Sequence, residues 1–191
     1  MFKLIAILTP IILGIWSHKS STARLTKKLE ANSSPMKDPI VTALVKKIAH
    51  SLDIKEIKVY ILEDLNLNGV ASPNGKVFIT RGFLEKYYSG VFSAEELFGV
   101  IAHELGHLAL GHTKKRMVAY TVQNTIQMGL GFVLSRLIPF VGNYLSTMLL
   151  RIVSAKLSRM DEYEADEYAA ALMLRIGLEV TPLVDLFSKL E

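Results

Sequence analysis

The sequence has 191 residues, half of them hydrophobic, with a mean hydropathy of +0.32 and a formal net charge of +4. That suits one domain, or one domain with an anchor. It contains no cysteine, which excludes disulfides, cysteine-type zinc fingers, a thiol nucleophile and a lipidated N-terminal cysteine. The basic residues gather at 19–28 and 114–116 without interleaved aromatics, which argues against nucleic-acid binding.

Residues 1–16 hold an apolar run, Leu4 onward, broken only by Thr9, Pro10 and Gly14. It is shorter than the ~20 residues of a full membrane span. Lys19, Arg24, Lys27 and Lys28 follow it, and by the positive-inside rule they favour an uncleaved anchor with the rest of the chain in the cytoplasm. The alternatives are a signal cleaved near Ala23, giving a periplasmic or secreted protein, and a buried helix. Residues 17–38 read as a polar linker, marked by Ser33, Ser34 and Pro35.

Residues 39–191 read as one domain. Asp38-Pro39 is an N-cap followed by a first helical residue, and Ile40, Leu44, Ile48 and Leu52 recur at helical spacing. Residues 58–62 read as a strand. Two short strands, 69–72 and 76–80, flank the turn Pro73-Asn74-Gly75. A short helix follows at 81–88. Ser93 and Glu96 form a capping box, and Leu97, Val100, Ile101, Leu105 and Leu108 continue a helix that Gly111 ends. Residues 117–157 read as an apolar helical hairpin turning at Pro139 and Gly142. Its polar stripe of Gln123, Asn124, Gln127, Ser135 and Arg136 favours an amphipathic helix over a lipid-embedded one. Ser158 to Arg175 continues that helix or starts another, Gly177 and Pro182 end it, and a short helix closes the chain. The fold class expected is α+β, mainly helical, with a small sheet preceding the helix that carries the chemistry.

That chemistry lies in His103-Glu104-Leu105-Gly106-His107. Residues four apart on a helix lie nearly on one line, about 6 Å apart along the axis. His103 and His107 can therefore direct two imidazole nitrogens at one Zn²⁺, while Glu104, rotated one position away, can reach a water beside it. With five His and twelve Glu, chance gives this pattern in about one such sequence in a hundred. His112 is one position out of register for the third ligand of an H-E-x-x-H-x-x-G-x-x-H site, and is expected instead at the helix end against the last carbonyls. A later helix offers Glu162 and Asp166, four apart and on one face. Glu162 can ligate the metal, and Asp166 can accept a hydrogen bond from the far nitrogen of a ligand histidine. Asp161, Glu164 and Glu167 fit a solvated acidic face; Ala165, Ala169 and Leu172 suggest close packing on a neighbour.

The segments H-E-L-G-H-L-A-L-G-H at 103–112 and S-R-M-D-E-Y-E-A-D at 158–166 resemble the HtpX and CAAX-prenyl-protease family of zinc metallopeptidases. The resemblance covers residues 40–190 and implies a zincin-like domain with one Zn²⁺ on His103, His107 and Glu162, Asp166 behind them, and Glu104 as the catalytic residue. It also implies that N-G-V-A-S-P-N-G-K-V-F-I-T-R-G at 68–82 is the hairpin whose edge pairs with an extended substrate, which makes Asn68, Gly69, Val70 and Ala71 substrate-binding residues. The family pattern continues beyond Gly177 and Pro182 to a His-Pro segment with a nearby Arg that helps stabilise the oxyanion. This sequence runs to Glu191, so either Tyr163 or Tyr168 serves, or the activity is modest. The function expected is a membrane-associated endopeptidase acting on extended or unfolded polypeptide, with a role in protein quality control by analogy. The alternative is a zinc-binding chaperone or adaptor of weak activity.

Overall fold

The structure is a computed structural model. It describes residues 23, 24, 26–72, 74–112, 115, 136 and 142–190. The expected anchor at 1–16, and the apolar hairpin as far as residue 141 apart from residue 136, lie outside the described residues. No helix among the described residues is long and apolar enough to cross a membrane. The chain forms two compact units: one of Ala23–Leu110 with Tyr163–Glu191, and one that includes Gly111–Glu162.

The first unit is built on a four-stranded mixed sheet of β1 (Ser33–Pro35), β2 (Lys58–Leu62), β3 (Gly69–Ala71) and β4 (Lys76–Thr80), in the order β1-β2-β4-β3. β2 and β4 are parallel, with Val59 beside Val77 and Ile61 beside Ile79, so four apolar side chains line the inner face at period two. Tyr60 stacks on Phe78 on the other face, ring centroids 5.5 Å apart. β3 returns antiparallel to β4 as the predicted hairpin, Gly69 opposite Ile79 and Ala71 opposite Val77, which makes β3 an edge strand. Gly75 takes the positive φ, +86°, that the turn requires.

The stretch read as a linker contains structure. Residues 26–31 are helical, and Ser33–Pro35 pair antiparallel with β2 as the other edge of the sheet. An edge strand tolerates proline, and this one is only three residues long, too short for alternation to reveal it. Lys76 Nζ, 2.7 Å from Glu30 Oε1, ties the preceding helix to β4.

Asp38 caps α1 (Pro39–Ser51), accepting from the Ile40 and Val41 amides. The buried face differs from the expected stripe. Ile40 is 56 % exposed, and Val41, Val45, Ile48 and Ala49 enter the core. α1 is apolar over a wide arc, and the centre of that arc, not its Ile40 margin, meets the rest of the unit. α2 (Arg81–Tyr88) starts directly from β4, and the Arg81 guanidinium pairs with Glu63 and holds that carboxyl below its ordinary range.

α3 (Ala94–Ala109), the last part of α4 (Gly142–Arg175) and α5 (Thr181–Leu190) complete the core. Leu97, Phe98 and Ile101 of α3 are fully buried, each contributing about 1.5–3 kcal/mol. α4 is a single helix from Gly142, so of the two readings of Ser158 to Arg175 the continuation of the preceding helix holds. The fold is the expected α+β, mainly helical type, with the small sheet ahead of α3.

Candidate active site

α3 begins with the capping box expected from sequence. Ser93 Oγ accepts from the Glu96 amide at 3.0 Å, and the Glu96 carboxylate accepts from the Ser93 amide. Leu97, Ile101 and Leu105 take the buried face, leaving His103, Glu104 and His107 half-buried on another. One helical turn brings the His103 and His107 Nε2 atoms to 3.0 Å from each other, rings edge-on. Tetrahedral metal–nitrogen bonds of about 2.0–2.1 Å require a similar separation.

Glu104 faces the sheet. Its Oε2 accepts from the Ala71 amide at 2.8 Å. Ala71 is in edge strand β3, so the N–H that points away from β4 meets the carboxylate. Gly69 leaves room for the carboxylate: a Cβ at that position would stand 2.9 Å from Glu104 Cγ and Oε1 and displace it. Of the residues expected along the substrate-binding edge, Gly69 and Ala71 thus touch Glu104. Val70 lies between them in the strand, and the Asn68 amide donates to Thr80 Oγ1.

α4 crosses α3 at Gly106. A Cβ there would lie 2.9 Å from the Ala165 carbonyl oxygen and 3.2 Å from Tyr168 Cβ. Ala165 and Ala169 are fully buried, which is the close packing their small size suggested. The approach brings Asp166 Oδ1 to 2.8 Å from His103 Nδ1. A carboxylate accepting Nδ1–H leaves the lone pair on Nε2, the nitrogen that faces His107. Glu162 precedes Asp166 by one turn of the same helix and therefore shares its face; Glu164 does not. Tyr168 packs over Gly106, and Tyr163 is exposed. In the other unit His112 is buried, 1 % exposed, with Nε2 3.9 Å from Asp161 Oδ1. Asp161 is therefore not the freely solvated side chain expected, and a carboxylate stands near the imidazole.

Two contributions came from residues the sequence reading passed over, both on α5. Phe187 sets its ring edge-on to His103, centroids 6.4 Å apart. Lys189 reaches the N-terminus of α3, donating to buried Glu96 at 2.6 Å and to the Val91 carbonyl at 3.0 Å. These residues lie about 90 positions from their partners, and no local spacing reports such a contact.

Joined by Glu162, the third donor expected from sequence, His103 and His107 would make a His/His/Glu set, the composition of a catalytic zinc site. The donors fit such an ion: two nitrogens already converge, one is oriented from behind by a carboxylate, and an acid–base group that is not a donor stands beside them.

The model of peptidase family M48 matches residues 35–190. The chain is similar to the metalloprotease LoiP of Escherichia coli strain K12, 29 % identical over 133 residues, 70 % of this chain and 50 % of LoiP. It is 32 % identical to the metalloprotease YcaL of the same strain over 139 residues, again 70 % and 50 %. It is 28 % identical to the protease HtpX of Shewanella baltica strain OS185 over 179 residues, 78 % and 60 %. The chain thus spans about half to three-fifths of the length of these curated relatives.

Proposed function

The chain belongs to peptidase family M48, and from that premise we propose that it is a zinc-dependent endopeptidase of extended or unfolded polypeptide. One observation carries the proposal: the convergence of His103 and His107 Nε2 with Asp166 holding the opposite nitrogen of His103. His103, His107 and Glu162 would hold a single Zn²⁺. Bound there, the ion would acidify a water and polarise the scissile carbonyl.

Glu104, beside those residues, would take a proton from the attacking water and pass it to the leaving amine. The Ala71 amide aims the carboxylate before substrate arrives, so less reorganisation accompanies proton transfer. Asp166 keeps His103 in one tautomer and one orientation, and stabilises positive charge that develops on the ring. Edge strand β3 offers backbone groups for an extended peptide to pair with, which favours unfolded segments over folded ones. Association with a membrane through residues 1–16, with the catalytic unit on the cytoplasmic side, and a role in protein quality control rest on the sequence reading.

Proteolysis of unfolded casein, before and after chelation and again after Zn²⁺ is restored, tests the proposal. The expected result is cleavage lost with the metal and recovered with it. Zinc binding with no cleavage would favour the adaptor alternative instead.

A further inference from the structure

A cleft of about 770 Å³ opens in the first unit between α1, the turn after it and the start of β2. Neither His103, Glu104 nor His107 lines it. Its floor is Val45, Ala49, Ile57 and Val59, all buried. Asp53 takes a φ of +54° and turns the chain back, with the Ile54 amide donating to the Ala49 carbonyl at 3.0 Å. That turn adds Ile54, 44 % exposed, to the apolar lining. The rim is cationic. Thr42, Lys46 and His50 follow at intervals of four on α1 and form one stripe along the cleft. Lys55 lines it from the turn and Lys58 from β2. Glu56 is the one acidic residue of the lining, and its Oε2 lies 3.7 Å from Lys58 Nζ. Among the described residues, the side chains of Lys46, His50 and Lys55 make no ion pair and no hydrogen bond.

We infer that this cleft binds a single-chain amphiphile of the fatty-acid class, its carboxylate on the lysine rim and its hydrocarbon tail on the apolar floor. The inference does not depend on the peptidase reading. Size supports it, since small-molecule clefts run to about 300–1,000 Å³. Charge supports it too. A carboxylate accepts charge-assisted hydrogen bonds from Lys46 and Lys55, whereas an amine would meet like charge. The floor removes hydrocarbon from water. The backbone here favours a small molecule over a peptide strand. The Val59 carbonyl already accepts the Met36 amide at 2.9 Å, and Pro35, the one residue of β1 in the lining, has no N–H to offer a ladder.

Photolabelling of the full chain with a diazirine-bearing decanoate, with adducts mapped by mass spectrometry, tests the inference. Adducts should fall within residues 42–60. Unlabelled decanoate should suppress them, hexanoate should need about tenfold or more higher concentration, and decylamine should not compete. Lys46→Glu with Lys55→Glu reverses two exposed charges and should cut labelling about tenfold or more at an unchanged unfolding midpoint. Lys46→Arg with Lys55→Arg should restore it. Adducts confined to other segments would overturn the site. Labelling that the charge reversal leaves untouched would do the same. Competition by decylamine as strong as by decanoate would overturn the ligand class. So would an acidic peptide of alternating glutamate and leucine that displaces the label when decanoate does not.

Discussion

His103 and Asp166 are joined across two helices, Nδ1 to Oδ1 at 2.8 Å, although 63 residues separate them. The contact leaves the lone pair of His103 on Nε2, the nitrogen that faces His107, and fixes the ring plane. Asp166→Ala should lower zinc affinity or turnover by about 10–100-fold. Asp166→Asn, which keeps an acceptor but not the charge, should lie between Ala and wild type. Zinc titration of both variants checks the order, and equal affinity in all three proteins would remove Asp166 from the site.

Gly106 sets how closely that helix can approach. Its absent Cβ would meet Ala165 backbone atoms at 2.9–3.0 Å, and backbone cannot swing aside as a side-chain tip can. Gly106→Ala should therefore destabilise the fold by about 1–3 kcal/mol and push Asp166 off His103. Denaturant unfolding measures the first effect and zinc affinity the second. An unchanged midpoint would mean that α4 shifts freely.

The Ala71 amide of edge strand β3 donates to Glu104, and proline removes that donor. Edge strands accommodate proline where the N–H is not part of the ladder. Ala71→Pro should keep zinc and lose about tenfold or more in casein turnover, because the acid–base group is no longer aimed. Wild-type turnover in this variant would show that Glu104 needs no such support.

The pattern of what was legible follows from range. The caps at Asp38 and Ser93, the strand at 58–62, the 69–80 hairpin and the spacing of His103, Glu104 and His107 are all set within a few residues, and each formed as read. Asp166 was legible because Glu162 and Ala165 gave its helix a face. Ser33–Pro35 failed because two serines and a proline carry no alternation, and their strand exists only through pairing with β2. Ile40 failed because spacing finds an apolar stripe but not which part of a broad arc the core will cover. Ala71 against Glu104, Phe187 against His103 and Lys189 against Glu96 are tertiary contacts that no window of local sequence contains.

Glu162 and Glu164 stand about 200° apart on α4, so only one of them can share the face of Asp166. Glu162→Ala should purify with little zinc and no activity, and Glu164→Ala with both nearly unchanged. Metal analysis of the two proteins separates the assignments, and loss of zinc in Glu164→Ala alone would reverse them.

Glu104→Gln tests the central chemistry most directly, because it changes one carboxylate oxygen and leaves the proposed zinc donors in place. The measurement is zinc content and casein turnover on the same purified sample. Zinc at wild-type stoichiometry with turnover reduced by about 10²–10⁴-fold is the predicted result. Full zinc with wild-type turnover would contradict the role of Glu104 as the proton carrier, and with it the proposed mechanism.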